Sequence, residues 1–87
     1  MKYKKKYLAV RQVINEIDPI GLIDLCGLEE YDMEVADILA KLKDCSTEDE
    51  IKNMVIGVFT RYFDDPGDIN LYSEVGFKLM NIKLLGT

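Results

Sequence analysis

Most side chains able to do chemistry in this 87-residue chain are carboxylates: sixteen Asp and Glu stand against eleven Lys and Arg, with two Cys and no His. Eight of the acids fall between residues 18 and 44, at Asp18, Asp24, Glu29, Glu30, Asp32, Glu34, Asp37 and Asp44. Such a set can serve three kinds of chemistry. Two carboxylates in different environments can act as acid and base in hydrolysis; several can gather a hard cation; an acidic surface can receive a basic partner. The first needs a pocket, and acids this numerous fall near one another in any chain of this length. The second is suggested only by DDPGDIN, residues 64–70, where Asp64, Asp65, Asp68 and Asn70 offer oxygens without the alternating DxDxDG pattern or its closing bidentate Glu. That segment reads instead as a turn followed by a helix cap.

The missing His removes the commonest general base and metal ligand, and with them Ser-His-Asp and Cys-His nucleophiles and His-containing zinc or iron sites. Cys26 and Cys45 stand 19 residues apart without CxxC spacing, which predicts ordinary thiols in a reducing compartment rather than a redox pair. The six Gly fall singly, with no phosphate-cradling spacing. Neither a cofactor nor a metal is expected.

Charge is unevenly divided. Lys2, Lys4, Lys5, Lys6 and Arg11 meet no acid in the first eleven residues, whereas the rest of the chain holds six basic and sixteen acidic groups; the whole chain has a net charge of -5. A lysine cluster can bind phosphates, but the field of an acidic body opposes it. The cluster therefore reads as a solvated helix face whose lysines lie near acidic helices of the same molecule, and neither nucleic acid nor membrane is expected as a partner. The apolar run 7–10 is interrupted by Arg11 and Gln12, too short for an export signal or a bilayer span, so the cytoplasm is the expected compartment.

Positioning these groups falls to helices. In residues 2–17, Tyr3, Tyr7, Val10, Ile14 and Ile17 step by four and three, with Leu8 and Val13 widening the stripe. Pro19 ends that helix. Asp18 is expected to cap a short helix over 20–25, with Pro19 at its first position and Gly27 closing it in a left-handed conformation. Asp32 is expected to cap a helix with the stripe Val35, Ile38, Leu39 and Leu42, and Lys41 and Lys43 suit its negative end. Thr47 and Glu50 form a capping box that opens a helix over 47–63, whose buried face is Ile51, Met54, Val55, Val58, Phe59 and Tyr62. Pro66 and Gly67 break it, and Asp68 is expected to cap a last helix over 69–84 with the stripe Tyr72, Val75, Leu79 and Ile82. No period-two alternation persists long enough for a strand. The prediction is all-α: one domain, residues 1–87, a compact antiparallel bundle of four longer helices plus one short helix after the Asp18–Pro19 corner.

The stretch INEIDPIGLIDLCGLEEYDMEVADIL, residues 14–39, resembles the signature of small bacterial proteins grouped as domain of unknown function 1871. The residues that carry the resemblance are Asp18, Pro19, Ile20, Gly21 and Leu22, then Glu30, Tyr31 and Asp32; the second half follows in outline, as a helix ending in FTRYF and a further helix. Similar proteins often have Trp before DP and Pro after EYD, where this chain has Ile17 and Met33. The resemblance implies a compact helical fold and no assigned activity. The residues themselves assign Asp18 and Pro19 to a tight corner over which Tyr31 can lean, a hinge first and a binding surface second.

Glu29 and Glu30 remain without a structural role. With Tyr31 and Asp32 beside them, and Asp24 and Asp37 nearby, they form the expected recognition surface. The sequence thus predicts a small non-enzymatic helical interaction module that engages a basic protein, as a monomer or a weak homo-oligomer, with Leu8, Val13, Leu71 and Leu84 as the apolar residues open to self-association. Inhibition of a basic toxin, as an immunity or antitoxin protein, is one concrete form. The competing class, a small-ligand binder or an enzyme using loop carboxylates, requires a deep pocket with convergent polar groups.

Overall fold

The four long helices form where the apolar spacing places them: α1 over Lys2–Ile17, α2 over Asp32–Leu42, α3 over Glu48–Phe63 and α4 over Val75–Leu84. The structure, a computed structural model, describes residues 2–23, 27 and 29–84, without the side chains of Lys2 and Tyr3. Among these residues there is no strand, and the fold is all-α. Each helix packs on the next, and α4 closes back onto α1. That closing pair is antiparallel, because Glu16 lies 4.0 Å from Lys78 while Lys6 reaches the carbonyl of Lys83 at 3.5 Å. Val10 and Ile14 of α1, Val35 and Ile38 of α2, Ile51, Val55 and Phe59 of α3 and Val75 and Leu79 of α4 fill one core. Each such side chain contributes about 1.5–3 kcal/mol by leaving water.

The corner after α1 departs from expectation. Asp18 is left-handed, φ 42°, and its N–H donates to the Ile14 carbonyl at 2.9 Å, so it is the C-terminal stop of α1. A residue held there cannot have the extended backbone of an N-cap, and Asp is among the few non-glycine residues that tolerate that region. Pro19 and Ile20 therefore lie in a turn, closed by the Gly21 N–H on the Asp18 carbonyl at 3.0 Å, and do not begin a helix. Of the helix expected over 20–25, Ile23 is helical and residues 24 and 25 lie outside the described residues. Gly27 is left-handed as expected, its N–H on the Ile23 carbonyl.

Two further boundaries shift. Tyr31, not Asp32, is the N-cap residue of α2, and its side chain makes no cap bond. The helix expected over 69–84 divides into a 3-10 turn, Ile69–Tyr72, and α4. Asp68 caps the turn, accepting from the Asn70 N–H at 3.0 Å. The tighter turn sends Tyr72 into the core, where its hydroxyl donates to the Pro66 carbonyl at 2.5 Å and its ring lies 6.2 Å from Phe59. The capping box of α3 forms as expected: Thr47 Oγ1 accepts from Glu50 N–H and Glu50 Oε1 from Thr47 N–H, both at 3.1 Å.

Some apolar residues face the other way. Leu8 is exposed rather than part of the α1 stripe, and Tyr62 is exposed while Phe63 turns in to stack on Phe59 at 5.8 Å. Val13 is buried, which removes it from any self-association surface, whereas Leu71 and Leu84 stay exposed.

Two glycines on helices have opposite reasons to be there. A Cβ at Gly76 would sit 2.3 Å from the Glu48 carbonyl oxygen, so α4 approaches the start of α3 through that glycine. Gly57 in α3 has open space around it. Urea unfolding is therefore expected to show Gly76→Ala less stable by about 1–3 kcal/mol and Gly57→Ala more stable by up to about 1 kcal/mol, the helix-propensity gain.

Candidate functional site

The loop that leads into α2 is a series of hydrogen-bonded turns. Glu30 N–H donates to the Gly27 carbonyl at 3.3 Å, Asp32 N–H to that of Glu29 at 3.1 Å, and Val35 N–H to that of Tyr31 at 2.8 Å. This backbone sends Tyr31 inward and leaves Glu29 and Glu30 in solvent. The Tyr31 hydroxyl donates to Asp18 Oδ1 at 2.6 Å and accepts from the N–H groups of Ile20 and Leu22 at 3.2 and 3.3 Å. Asp18 Oδ1 also accepts from Leu22 and Ile23, at 2.9 and 3.3 Å. The Tyr31 ring, fully buried, meets Phe59 edge-on at 5.4 Å and Phe63 at 6.3 Å. Tyr31 is thus part of the core and leaves the recognition surface.

The expected acidic surface is smaller than the sequence suggests. Arg11, reaching across from α1, lies 3.1 Å from Asp32 and 3.6 Å from Glu29, and Tyr7 donates to the Asp32 carbonyl at 3.3 Å. Asp37 is half-buried and bonds Lys41 one turn along at 2.5 Å, a local pair that steadies α2. Asp24 lies outside the described residues. Glu29, whose side chain is 80% exposed, and Glu30 remain available. Next to them the structure presents Met33, 70% exposed, at the head of an outward stripe on α2 that continues through Ala36 and Ala40. Its signal was already in the spacing: 33, 36 and 40 are the positions that the buried stripe of α2 leaves over. Arg11 had no comparable signal, because pairing between α1 and the loop depends on how the helices pack.

Glu34 is a buried acid in the first turn of α2, and its Oε1 has no hydrogen-bond partner among the described residues. Burial raises its pKa, aided by the neighbouring charges of Glu30 and Asp32 and opposed by a bond to its own backbone. Cys45 is a free, buried thiol whose pKa burial also raises. No group of three His, Cys, Asp or Glu among the described residues could hold a metal ion. No helix among the described residues is long and apolar enough to cross a membrane.

Three measurements test this assignment. Tyr31→Phe keeps the ring and removes the hydroxyl; chemical denaturation is expected to show a loss of about 1.5–3 kcal/mol, the range for a hydrogen bond to a charged group. Burial, with the bond to Asp18 second, pushes Tyr31 up to about 12 from an ordinary value of about 10. The fold favours the neutral phenol, so this stabilisation is whole below pH 10 and is lost as pH rises through about 12. Tyr72 moves in the same direction, by burial, so Tyr31→Phe is expected to flatten the alkaline fall in stability only in part. Glu34 follows the same linkage in a lower window: an acid whose folded pKa is raised weakens the fold as pH climbs past its unfolded value, so its cost is already present in neutral solution. Glu34→Gln is therefore expected to raise the midpoint of thermal unfolding at pH 7.

Compared with known families, residues 9–87 match the model described as Domain of unknown function (DUF1871). No curated protein and no solved structure matches the chain.

Proposed function

The chain belongs to the family of domain of unknown function DUF1871, and we propose that it is a non-enzymatic interaction module that engages a basic protein through Glu29, Glu30 and the outward stripe of α2. One observation carries this reading: Met33 stands 70% exposed three residues after two solvent-facing carboxylates, on backbone fixed by turn hydrogen bonds. An exposed methionine adapts its shape to a partner's apolar surface. Carboxylates beside it steer a cationic partner and set its orientation, while the apolar contact supplies affinity. The ion pair from Arg11 to Glu29 is long, 3.6 Å, and open to solvent on the Glu29 side, so a partner can displace that carboxylate with little loss. The acids also support binding over hydrolysis, since Asp32 and Asp37 are engaged by Arg11 and Lys41.

Affinity purification from the native host tests the proposal. A basic protein is expected to co-purify with the wild-type chain and to be lost with the double substitution Glu29→Lys, Glu30→Lys. The same loss is expected in part on raising the salt concentration, because exposed charges beyond a Debye length are screened. Both glutamates are exposed, so the variant is expected to stay folded, which thermal unfolding checks; retained binding in a folded double variant removes this loop from the reading. Recovery of a basic toxin whose activity is blocked would identify the inhibitory form of the same binding.

A further inference from the structure

A groove of about 500 Å³ opens where the start of α1 meets the C-terminal ends of α2 and α4. Its apolar wall includes Leu39, Leu42 and Leu84, and its charged lining is Lys6, Lys43 and Lys83. Each lysine comes from a different segment. Lys83 Nζ donates to the carbonyls of Lys43 (3.3 Å) and Cys45, and Lys6 Nζ donates to the carbonyl of Lys83 at 3.5 Å. These bonds offset the negative ends of α2 and α4 and hold two ammonium groups at the groove. They do not saturate them, since an ammonium has three donors.

Among the described residues no carboxylate lines this groove and none of the three lysines has an ion pair, in contrast to Arg11, Lys41 and Lys78. Lys6 thus does not lie against an acidic helix as the sequence suggested: it shares the groove with two further lysines. Gathering like charges is unfavourable by itself, and in a chain of net charge -5 the distant field gives an anion no help. An anion would have to be held by these cations at close range, with apolar burial adding affinity. A greasy concavity of several hundred Å³ with a few convergent polar groups is the usual form of a small-molecule site.

We propose that this groove binds a fatty carboxylate, its aliphatic chain against Leu39, Leu42 and Leu84 and its head among Lys6, Lys43 and Lys83. Charge complementarity selects an anion, and the apolar wall selects one that carries a hydrocarbon chain, which a nucleic-acid phosphate lacks. The site is separate from Glu29, Glu30 and Met33, so it stands or falls independently of the proposed protein partner.

The test is a titration of decanoate, below its micelle concentration, into the isotopically labelled full chain, followed by backbone and methyl NMR. Saturable shifts at Leu39, Leu42 and Leu84 are expected. Decanol, the same chain without charge, is expected to bind about tenfold more weakly or worse, and Lys6→Gln with Lys43→Gln to weaken decanoate to the same degree. Comparing decanoate with decanol needs no variant and so decides the question even if the double variant fails to fold. Absence of saturable shifts, equal binding of decanol, or shifts that map away from the groove overturns the proposal. So does retention on phosphatidylglycerol vesicles without decanoate binding, which would assign the lysines to a membrane surface.

Discussion

The Tyr31 hydroxyl holds together two helix ends that are thirteen residues apart in sequence. It donates to the carboxylate that stops α1 and accepts two amides from the turn that follows, at the residue where α2 begins. Every group in this network is a polar group that burial would otherwise strand, and a stranded one is costly. A single oxygen therefore fixes the angle at which α2 leaves the corner. The same ring carries the constraint onward, through Phe59 to Tyr72, whose own hydroxyl secures the loop at Pro66. That loop presses back on the corner so closely that a Cβ at Gly67 would lie 2.2 Å from the Pro19 carbonyl. Corner, aromatic cluster and acidic loop are one mechanical unit.

What could be read from the residues follows from which forces are local. Helix positions depend on three-four spacing and on caps within a few residues, and the Thr47–Glu50 box and the stripe of α3 behave as written, Tyr62 excepted. The corner was only half legible. DP signals a break, but whether Asp18 closes one helix or opens another depends on a tyrosine thirteen residues away. For the same reason Tyr31 looked free: it lies off every helical stripe, because it is buried by a loop rather than by a helix face. The divided last helix has the same cause, since the demand of Tyr72 for the Pro66 carbonyl outweighs a continuous apolar pattern.

Charge shows the same limit. Composition separates a basic start from an acidic body, yet packing decides which charges meet. Arg11 crosses to Glu29 and Asp32 and thins the acidic surface. Lys6 instead finds the carbonyl end of α4 and joins Lys43 and Lys83. Helix ends explain both arrangements, because α2 begins where acids are favoured and ends where cations are. One helix thereby acquires two chemically distinct ends without a dedicated binding loop at either.

The residues that tie this chain to its family are mostly absorbed by the architecture. Asp18, Ile20, Leu22 and Tyr31 belong to the hydrogen-bonded lock, Gly21 supplies a left-handed bend at φ 77°, and Asp32 opens α2 against Arg11. Glu30 is the exception. It is exposed, its carboxylate has no partner among the described residues, and its charge is one of those that push the buried Glu34 toward its neutral form. A carboxylate there makes the fold slightly worse, since Gln would keep the turn and remove the repulsion. A group that opposes the stability of its own domain and bonds nothing among the described residues is the one residue of this set that the architecture does not account for.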